Sequence, residues 1–141
     1  MLPSMITLPF TFSSLVSRNA SSVESVTISY DTAYDDFSAQ VTNLACSSNL
    51  TNLGFTNLGS IPGFPYIGGS SAVSSSGSTG CITCWELSYN ETNINVLVVD
   101  YADEGLNIAQ AAMNGLTGGD AQELGILWAT AVEVDVTECG M

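Results

Sequence analysis

Apolar and polar residues alternate over Val26-Thr27-Ile28-Ser29-Tyr30, and this period of two predicts a half-buried strand. Trp85, Leu87 and Tyr89 alternate with polar neighbours in the same way. Ile94 to Val99 is almost continuously apolar and predicts a central strand. Asn90 to Asn93 makes the turn between them, so the pair reads as a hairpin. Ile126 to Val136 predicts another strand, with Val132, Val134 and Val136 facing away from Glu133 and Asp135. Val41 to Cys46 is a further short strand in this reading. One segment follows the helical period instead. Leu106, Ala109, Met113 and Leu116 share a face from Glu104 to Leu116, with Asp103 as its cap and Gly118-Gly119 as its stop.

The stretches between carry turn chemistry. Asp31 to Asp36 is a polar turn, and residues 47–60 form an Asn-, Ser- and Gly-rich loop with room for one helical turn. Pro62, Gly63, Pro65, Gly68 and Gly69 make residues 60–69 an irregular extended segment, and residues 70–80 a surface loop tied back at Cys81. Several short strands with one modest helix and no internal repeat predict a mainly β chain folded as a small barrel. No linker followed by a second core is visible in the 141 residues, so one domain is expected.

Charge narrows the function. The chain has 14 acidic residues, one basic residue and no histidine, for a formal charge of −13. The basic residue is Arg18, so nothing from Val26 onward carries a cation. Nucleic-acid and anionic-membrane binding both depend on clustered Lys and Arg, and neither is expected. A histidine base, a Schiff-base lysine, a Ser-His-Asp triad and an imidazole metal site are equally out of reach. No cofactor is expected, and any catalysis would have to run on carboxylates or cysteines.

Four cysteines, Cys46, Cys81, Cys84 and Cys139, form an even set in a short chain and predict two disulfides; three connectivities are open. The rival reading of Cys81-Ile82-Thr83-Cys84 is a redox or zinc pair. The strand alternation that follows it lacks the helix N-terminus and cations that activate a thiol. Zinc would require a second closely spaced pair, and Cys46 and Cys139 are far apart in sequence. Glycosylation sequons at Asn19, Asn49 and Asn90 point the same way, toward secretion. Residues 1–25 are set apart as a degenerate leader or disordered arm. Their apolar run from Leu2 to Val16 is broken by Pro3 and Pro9 and has no basic residue ahead of it, and it is too broken to span a membrane.

The strings VTISYDTAYDD (26–36), SIPGFPYIGGSSAV (60–73), CITCWELSYN (81–90), INVLVVDYA (94–102) and GLNIAQAAMNGLT (105–117), with the ending at Cys139, resemble the cerato-platanin family of small secreted fungal proteins. The resemblance covers residues 26–141, taken as one domain. It implies a six-stranded double-psi β-barrel like that of expansins, with one or two short helices and disulfides Cys46–Cys81 and Cys84–Cys139. It further implies non-catalytic binding of chitin or cellulose-type oligosaccharides and cell-wall polysaccharide, wall loosening, self-association at interfaces and elicitation of plant defence. Two departures bear on the ligand. The Gly-Trp pair frequent in the family before the second cysteine is replaced by Ser74-Ser75-Ser76-Gly77-Ser78, and the lysines common in the family are absent.

Within that frame Asp100 falls where expansins and related hydrolases keep a carboxylic acid. It follows a buried run, so its backbone is expected to be rigid and its side chain to reach the surface; a solvated strand-end acid is the plain alternative. Asn107 adds an amide for sugar hydroxyls, or serves only as a first-turn helix residue. Tyr30, Asp31, Tyr34, Asp35 and Asp36 form a second cluster in which carboxylates orient hydroxyls and tyrosine rings pack on pyranose faces. Its plain reading is a turn with local Asx bonding. A calcium site there lacks the glycine and distal glutamate of a calcium loop, and no metal is expected. Phe64, Tyr66, Trp85 and Trp128 are assigned to the core. Glycoside hydrolysis requires an acid with a matched second carboxylate, and only Asp100 occupies such a place, so a weak carboxylate-dependent hydrolase is the lesser alternative. A surface-active structural protein is another.

With no cation in residues 26–141, the carboxylates repel one another at neutral pH, and such self-repulsion opposes association. Acidification toward the isoelectric point, near 4.1, removes it. Light scattering at low salt is expected to rise as the pH falls from about 7 to about 4.5; a flat trace would contradict this.

Overall fold

The long apolar run organises the architecture. In the computed structural model, which describes residues 22–74 and 79–141, the strand Thr92–Tyr101 (β4) carries Val96, Leu97, Val98 and Val99 with no exposed surface. It pairs antiparallel with Thr83–Tyr89 (β3) and parallel with Ile67–Ser70 (β2). With Glu24–Tyr30 (β1), Leu106–Ile108 (β5) and Ile126–Val134 (β6), the sheet closes on itself in the order β1-β5-β2-β4-β3-β6. Pairs β1/β5 and β2/β4 are parallel and the others antiparallel, which gives a mixed six-stranded barrel without free edges. Ile28, Ile67, Leu87, Leu97 and Ile108 are all fully buried in the hydrophobic core built on this sheet.

The expected hairpin is present, with its turn reduced to Asn90-Glu91, both at positive φ (47° and 67°) as a tight two-residue turn requires. β1 begins at Glu24, two residues before the boundary read from the sequence. Residues 1–21 and 75–78, with Arg18 and the Asn19 sequon, lie outside the described residues. Asn90 is exposed in the hairpin turn, whereas Asn49 lies on a helix with its side-chain oxygen buried.

Three expected elements differ. Val41 to Cys46 is not a strand; Val41–Asn43 is a 3-10 turn. Its backbone finds scattered partners instead of a ladder: Val41 N–H donates to Thr56 O and Cys46 N–H to Val99 O. The front of the expected helix is β5, because Leu106 and Ile108 bury on one side of a strand that β1 and β2 grip from either side. Asp103 therefore caps no helix; it accepts a hydrogen bond from the Tyr101 hydroxyl at 2.9 Å. β6 ends at Val134, since Asp135 turns the chain into a 3-10 helix by accepting from Thr137 N–H and Oγ1.

Three short α-helices occur among the described residues, where one or two were expected: Ser47–Asn52 (α1), Gln110–Thr117 (α2) and Ala121–Leu124 (α3). Ala112, Met113 and Leu116 seal α2 against the barrel, and Gly118 ends it at φ 73°. Disulfides join Cys46 to Cys81 and Cys84 to Cys139, the pairing the resemblance implies. Their sequence separations are 35 and 55 residues, for which loop entropy gives about 4 kcal/mol each as an upper-end contribution. Two closed disulfides fit an oxidising compartment outside the cytosol. No helix among the described residues is long and apolar enough to cross a membrane.

The first turn of α2 has no cap from its own N-cap residue, Ala109. Asp35 supplies it from the far side of the chain: its two carboxylate oxygens accept from Gln110 N–H (2.8 Å) and Ala111 N–H (2.9 Å). A carboxylate at a helix N-terminus also meets the favourable end of the dipole. Asp35→Ala is expected to cost about 1–2 kcal/mol in urea unfolding. Asp36→Ala, which removes one exposed local contact to Ser38 N–H, should cost clearly less; equal costs would mean that Asp35 is not the cap that matters.

Candidate functional site

One row of residues crosses five strands. Ile126 on β6 is opposite Ser29 on β1, Ser29 is opposite Asn107 on β5, Asn107 is opposite Gly69 on β2, and Gly69 is opposite Asp100 on β4. Strands lie about 4.8 Å apart, so Asn107 and Asp100 flank a strip of bare backbone at Gly69. A Cβ built on Gly69 would come within 2.8 Å of Tyr101 O and 3.1 Å of the Tyr34 hydroxyl. A side chain there would press on the Tyr101 backbone and crowd the Tyr34 hydroxyl. A local irregularity between Gly68 and Gly69 brings this register about.

Above the row is an open cleft of about 760 Å³. Thr27 and Ser29 line it from β1, Asp31 and Tyr34 from the turn that follows, and Asn107 from β5. Asp100, Tyr101, Asp103 and Glu104 complete it from the end of β4. Side chains that reach it are held before any ligand arrives. The Tyr34 hydroxyl donates to Asp100 Oδ2 at 2.7 Å, and Ala45 N–H donates to Asp100 Oδ1 at 2.8 Å. Ser29 Oγ donates to Asn107 Oδ1 at 3.0 Å. Burial, then the hydrogen bond and charge of Asp100, then the charge of Asp31, push the Tyr34 phenol well above its ordinary pKa. Tyr34 is therefore held as a neutral hydroxyl that donates to Asp100. Tyr101 is raised as well, by the hydrogen bond to Asp103 and by that group's charge.

The residues singled out in the sequence divide. Asp100, Asn107, Asp31 and Tyr34 come together in the cleft. Tyr30 and Asp36 do not. Tyr30 shares the inward side of β1 with Ile28, by strand alternation from Ser29, and packs against the core. Asp36 lies beyond the turn, bonded to Ser38 N–H. Asn107 is a strand residue and not a first-turn helix residue. Asp100 reaches the cleft but is no free surface acid, since both of its oxygens are engaged. The three nearby carboxylates of the turn serve separate bonds: Asp31 to Ala33 N–H, Asp35 to α2 and Asp36 to Ser38 N–H.

Sequence reading missed Tyr101, Asp103 and Glu104, which follow Asp100 directly and offer an exposed ring and two acids. Thr27 and Ser29 were legible as the polar side of β1, but nothing local said that this side faces a cleft. Trp128 was assigned to the core and is 66% exposed. Trp85 is half-buried against the core, with its indole N–H donating to Thr83 Oγ1 at 3.0 Å.

The profile of the cerato-platanin family matches residues 26–141. A relative from Aspergillus fumigatus described as allergen Asp f 15 is 38% identical over 116 residues, covering 81% of this chain and 76% of its own. The crystal structure of cerato-platanin 2 from M. perniciosa superposes with a TM-score of 0.80 at 35% identity, over 84% of this chain and all of that one. The solution structure of the fungal elicitor cerato-platanin superposes with a TM-score of 0.72 at 29% identity, over 81% and 96% of the two chains. With the barrel, both disulfides and the matched span in agreement, this chain belongs to the cerato-platanin family.

Proposed function

We propose that this protein is a secreted, non-catalytic module that holds uncharged cell-wall oligosaccharide, of the chitin or cellulose type, in the cleft over Gly69. The observation that carries this reading is the pre-bonded row of polar side chains. Asp100 is fixed by Tyr34 and Ala45, and Asn107 by Ser29, beside an exposed tyrosine ring at Tyr101. Fixed acceptors recognise sugar hydroxyls and N-acetyl N–H groups without a new ordering cost, and charge-assisted bonds to carboxylates are the stronger kind. Asp31, Asp103 and Glu104 add negative charge, which opposes uronic-acid polymers and phosphates. Wall loosening and elicitation follow as roles of such binding; the solved relative described as a fungal elicitor supports the second. Exposed Phe37, Leu53 and Leu124 favour interfacial self-assembly as a further property.

Calorimetric titration with N-acetylglucosamine oligomers tests this directly. Asp100→Asn keeps the shape and still accepts from Ala45 N–H, so it should fold and bind modestly less well. Asp100→Ala should weaken binding by about 1.5–3 kcal/mol. It should also lower stability by about 1–3 kcal/mol, because it strands the buried Tyr34 hydroxyl and Ala45 N–H. Unchanged affinity in both variants, with the stability loss present, would make Asp100 purely structural and remove the cleft from the reading.

The same bonds argue against hydrolysis. A general acid must reach the leaving group with a free oxygen, and both oxygens of Asp100 are already engaged by Tyr34 and Ala45. Chito- and cello-oligosaccharides incubated with the protein are expected to yield no new reducing ends. Their appearance, abolished by Asp100→Asn, would establish an enzyme instead.

A further inference from the structure

β6 alternates exposed and buried positions, but the side chains it exposes point to a second contact. Its buried positions are Leu127, Ala129 and Ala131, while Ile126 (55% exposed) and Trp128 (66% exposed) stand outside. The largest side chain of the strand is thus on the solvent side, where burial does nothing to keep it. Trp128 is directly opposite Thr27, and Ile126 directly opposite Ser29. Opposed residues of an antiparallel pair share a face, so Trp128 occupies the same face as the cleft, one two-residue step further along, about 7 Å away.

A second groove, of about 500 Å³, begins there. Trp128 walls it with Ser25, Ser71 and Gly105, and it shares Thr27, Asp103 and Glu104 with the main cleft. The shared residues form the saddle between the two. Gly105 keeps the saddle low: it has φ 51°, and a Cβ on it would strike Thr27 O. The chain after β4 can therefore lie flat against β1 only with glycine at this position.

We propose that the two grooves form one track for a polysaccharide chain, with Trp128 as an aromatic platform on which a pyranose ring stacks while its neighbours occupy the cleft over Gly69. This rests on the carbohydrate reading given above and adds a second subsite to it. The lining decides the occupant. An exposed indole next to Thr27, Ser25 and two carboxylates offers an apolar face with hydrogen-bond acceptors at its rim. That combination matches the apolar face and equatorial hydroxyls of a pyranose, and matches a purely apolar or anionic surface poorly. Continuity through the saddle requires an extended ligand, because a short one fills the cleft alone.

The test compares N-acetylglucosamine trimer and hexamer by calorimetry on the full chain. The wild type is expected to bind the hexamer more tightly. Trp128→Ala should weaken the hexamer about tenfold, as loss of an aromatic anchor does, and leave the trimer nearly unchanged. Trp128→Tyr should recover most of the loss. Because Trp128 is exposed, the urea midpoint of each variant should equal that of the wild type. In a Trp85→Phe background, the remaining indole fluorescence should respond to hexamer and not to trimer. If the trimer binds and Trp128→Ala leaves hexamer affinity untouched, the track is wrong and the cleft reading stands. If the wild type binds neither oligomer, both fall together, and the trimer arm shows it. If Trp128→Ala instead abolishes self-association in sedimentation while hexamer affinity holds, the occupant of this face is a second copy of the chain, and the proposal is overturned.

Discussion

The barrel closes through a strand that has no side chains where it matters most. β2 is gripped by β4 on one side and β5 on the other, and a Cβ on Gly68 would meet Asn107 O and come within 2.7 Å of the Ile108 Cα. Two consecutive glycines let the three backbones pack, at the conformational cost that glycine always carries in a strand. That approach fixes the register that sets Asp100 and Asn107 on either side of Gly69. Closure of the fold and assembly of the site are thus one event. A side chain at Gly69 would disturb both, because its nearest neighbours are Tyr101 O and the Tyr34 hydroxyl.

Asp100 extends this coupling from backbone to side chains. Its carboxylate ties β4 to the 3-10 turn after β1, through Tyr34, and to the segment entering α1, through Ala45. Cys46, next in sequence to Ala45, is the anchor of the first disulfide, and its N–H binds Val99 O. The loop from residue 31 to residue 46 is therefore docked on the end of β4 by a backbone bond and a carboxylate at nearly the same point, and the disulfide ties it to Cys81, just ahead of β3. Tyr34 is 6% exposed, so its hydroxyl depends on Asp100 for a partner. A buried polar group without one is costly. The fold alone therefore gives Asp100 a role, whatever occupies the cleft.

Most of the barrel could be read from periodicity, and the failures have identifiable causes. β1, β3, β4 and β6 are long enough to display their period. β5 has three residues, too few to show alternation, and its Leu106 sits at helical spacing from α2 by coincidence of the chain's direction. β2 contributes glycines, which carry no hydropathic signal. Val41 to Cys46 looks like a strand because it is apolar, but its N–H groups bond to a loop carbonyl, a carboxylate and β4 in turn. Trp128 was assigned inward because aromatic residues are usually buried, yet β6 turns Leu127, Ala129 and Ala131 inside and leaves Trp128 on its opposite side. Asp100 was legible through the family resemblance, Asn107 through its place a few residues further on, and Tyr34 as part of the cluster after β1. The bonds Tyr34–Asp100 and Ser29–Asn107 were not legible, because they join residues 66 and 78 positions apart.

Binding and catalysis make opposite demands on a carboxylate, and the proposed reading assigns the hydrogen bonds of this cleft to the first. A general acid must be protonated and free to give up its proton as the leaving group departs. A recognition acid must stay ionised with its lone pairs correctly aimed. At Asp100 two donors point at the carboxylate from the protein side; Asp103 is likewise bonded by Tyr101, and Asp31 by Ala33 N–H. Ser29 holds the carbonyl of Asn107, which leaves the Nδ2 amine of that side chain as a donor for a ligand acceptor. The cleft thus presents several fixed acceptors and at least one oriented donor in a field of a single sign. The polyhydroxylated, uncharged chain proposed above would meet both kinds of group, because each hydroxyl both donates and accepts.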